Sequence, residues 1–280
     1  MASVADLSSQ LDELPDLMKF PTVVQELLQL VQGSKVSIVK ICQLIECDPG
    51  LSLELLRIAN SSMYGCGGQV RSVEQAAVLM GTRGIHDLAV ATASASLFQK
   101  PNAVVKELWR HSLACATVAR ILAEATNDVD KNDAFTAGLL HDVGKLIFIQ
   151  VLDGDYQLVD KSMSGEVVVD EEAEAFGISH TEIGGVCSEA WGLPMEICDA
   201  IRNHHTPDDA DFDLRLSELV CAANKLSKAW GIGVPAPVEQ DELEILSENH
   251  CEIDEAVLAE LRERAPAEFE ASLSAFGGDS

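Results

Sequence analysis

The sequence predicts an all-α protein. Three observations carry that expectation. Apolar residues make up 47% of the chain but aromatics only 5%, so the core is built from Leu, Ile, Val and Ala, a mixture that suits packed helices. Apolar positions recur at helical spacing, as at Val23, Val24, Leu27, Leu28 and Val31. Helix-start signals are frequent, while strand patterning is confined to Val167-Val168-Val169, the one place a short strand fits.

Each element follows from local signals. Pro21 takes the first position of the opening helix. Ser37 caps the next, whose apolar face is Ile38, Ile41, Cys42 and Ile45. Asp48-Pro49-Gly50 breaks that helix, and Leu51, Leu55, Leu56, Ile58 and Ala59 line a third. Tyr64 to Gly68 reads as a loop. Ser72 with Gln75 forms a capping box for a helix that Gly81 ends, and a further helix covers 85–97. Beyond Pro101-Asn102 a long helix covers 104–125, and another opens at Asn132-Asp133 and carries the chain through His141-Asp142. Ser179 with Glu182 is a second capping box, for a helix to about 190. Pro194 starts a helix that ends near His204-His205, and 214–230 is the last long helix before the linker-like 231–237. The expected organisation is an N-terminal helical subdomain (1–100), a second helical subdomain carrying a His/Asp pocket (101–237) and an acidic tail (238–280).

The formal charge of −27 excludes two partner classes. So acidic a surface repels nucleic-acid phosphates and anionic lipid. The excess is concentrated late: from Glu239 onward 13 Asp or Glu face only Arg262 and Arg264. That tail is either an acidic helical appendage or partly disordered. The eight cysteines include no Cys-x-x-Cys pair, Met1 to Gln10 lacks a signal-peptide pattern, and no apolar run approaches the roughly 20 residues that span a bilayer. A cytoplasmic protein with reduced thiols is expected.

Five of the seven histidines crowd the second half: His111, His141, His180, His204 and His205; His86 and His250 stand apart. His141-Asp142 supplies an imidazole and a carboxylate together, a pair that suits zinc, iron, manganese or nickel. Gly144 leaves room for close approach, and Lys145 lies one turn on, within reach of an anionic oxygen. His180 falls in the first turn of its helix, where the dipole favours neutral imidazole, the form a metal needs. Spacing alone leaves two readings open, a metal site or a set of ordinary, satisfied polar residues.

The order His111, His141-Asp142, His180, His204-His205 resembles the HD superfamily of metal-dependent phosphohydrolases, and Ala137 to Lys145 matches its central motif. Leu55 to Gly65, Ser72 to Gly81, and Trp191-Gly192-Leu193-Pro194 are similar to the narrower HDOD signatures. The resemblance covers roughly 14–230. It implies a multi-helix HD-type bundle with an N-terminal helical subdomain, and one or two divalent transition metals. One metal would take His111, His141 and Asp142; a second would take Asp142 as a bridge with His180, His204 and His205. The metals would activate a water against a phosphoester, with Asp142 and Lys145 as the catalytic pair. This chain departs from the pattern at Asn224, where catalytic members carry Asp, and in lacking a Gly-Tyr-Pro signature after His205. The resemblance therefore implies first a signalling module acting through an unknown protein partner or a small phosphorylated ligand, and second a working phosphohydrolase.

Other motifs are less informative. Arg57, Arg71 and Arg83 read as solvated or salt-bridged arginines before an anion pocket, and Asn60-Ser61-Ser62 as a helix end that caps backbone groups.

Overall fold

A computed structural model describes residues 26–27, 30, 37–61, 64, 70–97, 103–152, 156, 161 and 167–276. Every regular element among them is helical. The chain divides into two compact units, Phe98–Pro266 and Phe20–Leu97, with residues from Ala267 on grouped with the second. The readings placed on Pro21 to Val24, Leu28, Val31, Gly65 to Gly68 and Pro101-Asn102 lie outside the described residues.

The N-terminal unit holds α1 (Ile38–Glu46), α2 (Pro49–Ala59) and α3 (Val73–Leu97). The Ser37 hydroxyl accepts from the Lys40 N–H, and Asp48 caps α2 by accepting from the Gly50 and Leu51 N–H groups. Gly81, at φ +66°, breaks α3 into two helical stretches, a conformation that costs glycine nothing and other residues about 1 kcal/mol or more. Ser72 caps α3 through the Gln75 N–H, but the Gln75 side chain accepts from the Arg71 N–H, so the box is shifted by one residue. Asn60 does the capping expected of it, bonding the Leu56 carbonyl at 2.9 Å and both backbone groups of Val70. Arg57 pairs with Glu54 and donates to the Ala275 carbonyl.

The larger unit is built on α4 (Ala103–Thr126), which packs most extensively against α5 (Lys131–Leu140) and α10 (Leu214–Ala229). Between these in sequence come α6 (Val143–Val151), α7 (Val169–Phe176), α8 (His180–Ala190) and α9 (Met195–Asn203). After α10 follow α11 (Glu242–Glu248) and α12 (Glu255–Phe276), whose residues from Ala267 on group with the N-terminal unit, so the acidic tail carries two helices. Leu108, Leu113, Val118, Ile121 and Leu122 of α4 are wholly buried. Each contributes about 1.5–3 kcal/mol of burial, and together they fix the helix that carries His111.

Three sequence expectations are corrected here. The His141-Asp142 doublet is not inside one helix. His141 ends α5, its Nδ1 bonding the Gly138 carbonyl at 2.8 Å, and Asp142 turns out of helical geometry (φ −99°, ψ 13°) before α6 begins. Val167-Val168-Val169 forms no strand: Val168 is buried and α7 starts at Val169. Finally, Lys131–Val151 is long and apolar enough by composition to cross a membrane, yet 89% of that window is buried inside the protein. Its apolarity is spent on the core.

Candidate metal centre

The interior of one helix and the ends of four others bring the predicted residues together within the larger unit. His111 comes from α4, His141 and Asp142 from the α5–α6 break, His180 from the first position of α8, and His204 and His205 from the end of α9. Local sequence explains each placement. The Ser179–Glu182 capping box is complete in both directions and fixes where α8 begins. Pro194 is the N-cap of α9, and His204 its C-cap. At Gly144 a Cβ atom would stand 1.9 Å from the His180 carbonyl oxygen, so only glycine lets α6 approach α8 this closely.

Asp142 is the hub. Its Oδ1 faces His180 Nε2 at 3.4 Å and His204 Nε2 at 3.6 Å, while its Oδ2 faces His141 Nε2 at 3.3 Å and His111 Nε2 at 3.8 Å. One carboxylate oxygen thus serves each half of the cluster. The donor atoms of Asp142, His180, His204 and His205 lie within 4.8 Å of one another, as do those of His111, His141 and Asp142.

The unsatisfied atoms identify what the cluster fits. The Nε2 atoms of His141, His180, His204 and His205, and both Asp142 oxygens, are buried without a hydrogen-bond partner. Leaving so many buried polar atoms unmade is costly, at about 1–3 kcal/mol each. Meanwhile the opposite nitrogens are tied: His141 Nδ1 to Gly138, His204 Nδ1 to Ile201 at 2.8 Å, and His180 Nδ1 to Glu172 at 2.6 Å. Each tie puts a proton on Nδ1 and turns Nε2 toward Asp142; on the neutral rings of His180 and His204 that Nε2 is a lone pair, and on His141 a bound cation would displace the proton that Asp142 holds there. This donor set fits a divalent transition cation.

Electrostatics agree. Burial holds His180, His204 and His205 below the ordinary imidazole value, His204 down to about 3, so all three are neutral. Burial, then the Lys228 charge, does the same to His111. His141 goes the other way: burial opposes its charge, but the Asp142 carboxylate overrides it and raises the ring to about 10. Burial alone would raise Asp142, yet His141 and Lys145 hold it well below the usual carboxylate range. Lys145 Nζ stands 2.6 Å from Asp142 Oδ1 as an ion pair, and a carboxylate oxygen has a second lone pair to offer a cation.

Sequence reasoning missed four neighbours. Glu172 of α7 is wholly buried and accepts from the His180 N–H at 2.7 Å, from His180 Nδ1 and from the Tyr156 hydroxyl. Tyr156 is itself stacked on Phe148. The signal was present as an acid in the stripe Val168, Glu172, Phe176, at i, i+4 and i+8. Cys115, one turn after His111, lies beside His141. Lys228, one turn after Asn224, is buried, and burial and Lys145 bring it down to about 8, so it is still charged at neutral pH. His86 belongs to the N-terminal unit, and His250 pairs with Glu218 at 2.7 Å, away from the cluster.

A helical bundle with this cluster is an HD-type domain. The chain belongs to the HDOD domain family, whose model matches residues 17–207. An uncharacterised protein of Treponema pallidum is 26% identical over 207 residues, 73% of this chain and 39% of that protein. Ribonuclease Y of Thermus thermophilus is 36% identical over 124 residues, 44% of this chain and 17% of that enzyme. The chain therefore spans well under half the length of these relatives. Among solved structures, a candidate phosphohydrolase of Shewanella amazonensis aligns with a TM-score of 0.73 at 22% identity, covering 98% of this chain and 97% of its own. A candidate signal transduction protein of Marinobacter aquaeolei aligns with a TM-score of 0.78 at 20% identity, covering 97% of this chain and 65% of its own. At these identities the two structures show the fold.

Proposed function

We propose that this chain is a regulatory module that holds a divalent transition cation (iron, manganese, nickel or zinc) as part of its core. It acts by binding another protein or a small phosphorylated ligand, without turnover, in the cytoplasm. The observation that carries this reading is the sealing of the cluster. His111, His141, His180, His204 and Lys145 are 0% exposed and Asp142 is 1% exposed. A catalytic metal keeps one coordination position open to water or substrate, whereas a structural one is closed by protein.

The second reading is a metal-dependent phosphohydrolase. It is favoured by His205, which is half-buried and marks the side on which the cluster comes nearest to solvent. The names carried by the Shewanella and Thermus proteins point the same way. A bound cation would polarise a phosphoester and activate a water. In that reading Lys145 leaves Asp142 to steady the phosphate. The charge of −27 argues against RNA as the substrate.

The test is a panel of nucleotides, other phosphoesters and short RNA, assayed with manganese-, iron- and zinc-loaded protein. The expected result is no sustained turnover, together with a raised melting temperature for any panel member that binds the folded state. Turnover that Asp142→Asn abolishes overturns the regulatory reading.

A further inference from the structure

The two halves of the cluster are not equivalent. On one side, His180, His204 and His205 each present a buried Nε2 with no hydrogen-bond partner among the described residues, and Asp142 Oδ1 faces two of them. On the other side, His111 Nε2 meets Asn224 Oδ1 at 3.1 Å. An amide oxygen accepts, so His111 Nε2 carries the hydrogen and has no lone pair for a metal. Turning the amide over does not help, because its NH₂ would then donate to the same lone pair. The nitrogen of His111 left without a partner is Nδ1, not the one that faces Asp142. On that side His141 Nε2 and Asp142 Oδ2 remain as donors among the described residues.

Charge reinforces the asymmetry. Asn224 contributes no negative charge where a carboxylate would. Buried Lys228 follows it one helical turn later, close enough that its charge acts on both His111 and Asp142. Lys145 already pairs with Asp142. A second dication would enter a buried space on the side of Asp142 where Lys228 already acts, and bringing more positive charge there without a new carboxylate is costly.

We infer that the centre takes a single divalent cation, held by Asp142, His180, His204 and His205, and that the His111–Asn224 hydrogen bond and the Lys228 ammonium close the other half to metal. This rests on the metal-holding reading above.

The experiment is a manganese titration of chelator-treated full-length protein, counting bound ions and recording the electron paramagnetic resonance spectrum. One ion per chain is expected, with the spectrum of an isolated manganese rather than a spin-coupled pair. His111→Ala should keep that ion, His204→Ala should lose it, and Asn224→Asp combined with Lys228→Met should bring the count to two. Melting curves confirm that each variant is folded. Two ions in the unaltered protein, or an ion lost with His111→Ala and kept with His204→Ala, overturns the inference. A double variant that folds and stays at one ion overturns the roles given to Asn224 and Lys228. No ion at all overturns the metal-holding reading itself, which separates the two failures.

Discussion

Glu172→Gln isolates the contribution of a residue that touches no metal donor atom except through His180. Glu172 uses both oxygens: one accepts from the Tyr156 hydroxyl, the other from the backbone and ring of His180. A glutamine keeps the volume but offers one acceptor oxygen, so one buried donor is left unsatisfied. That costs the metal-free protein about 1–3 kcal/mol. The larger consequence concerns the metal. A carboxylate behind an imidazole fixes its tautomer and raises its basicity, and its loss typically costs 10–100-fold in affinity, or about 1.4–2.7 kcal/mol. At fixed metal excess that amount is subtracted from metal-linked stability. For a chain of this size it corresponds to a fall of about 3–10 °C in the metal-induced rise in melting temperature. The assay is a pair of thermal melts, with and without cobalt or manganese, for the unaltered protein and the variant. If Glu172→Gln shows the same metal-induced rise as the unaltered protein, the carboxylate does not tune His180 and the reasoning fails.

Three further outcomes follow from the same geometry. Asp142→Asn should abolish metal uptake and lower metal-free stability by about 3–5 kcal/mol, because it breaks the buried ion pair between Asp142 and the Lys145 ammonium; an unchanged urea midpoint would contradict this. Gly144→Ala should cost about 1–3 kcal/mol or more and lower metal affinity, since its Cβ would meet the His180 carbonyl at 1.9 Å; a silent substitution in both melts would refute the close approach. Metal-free stability should peak near pH 6.5. Below that value the unfolded chain takes up protons that burial denies to His111, His180, His204 and His205, so stability falls with acid by up to about 1.4 kcal/mol per pH unit for each. Above it the His141 contribution, fully present below 6.5, is lost as pH rises toward about 10. Urea midpoints across the pH range measure this, and a flat acid side would exclude four neutral buried imidazoles.

Local signals were the legible part of this fold. The Ser179–Glu182 box, the Pro194 helix start and the breaks at Asp48 and Gly81 depend on a few adjacent residues, and each acts where its sequence places it; that Asp48 also caps the next helix was not read from the sequence. The five imidazoles could be named because His is rare in this chain, and Asp142 because it adjoins His141. Their partners could not. Glu172, Tyr156 and Lys228 act through contacts made only when α6, α7, α8 and α10 are packed, and sequence spacing does not encode which face meets which. The run Val167-Val168-Val169 suggested a strand because β-branched residues favour extended backbone, but burying Val168 and Phe176 with Glu172 on one helical face outweighs that weak preference. The break at His141-Asp142 was hidden for a similar reason. Every residue from Ala134 to Ile149 is buried, so polarity did not vary along the run to mark where one helix stops.

The measurement that bears most directly on this account is anomalous scattering at the manganese edge from crystals grown with manganese. The account predicts one strong peak among Asp142 Oδ1 and the Nε2 atoms of His180, His204 and His205. A cluster with no peak, with its imidazoles satisfied by water or by one another, would contradict it.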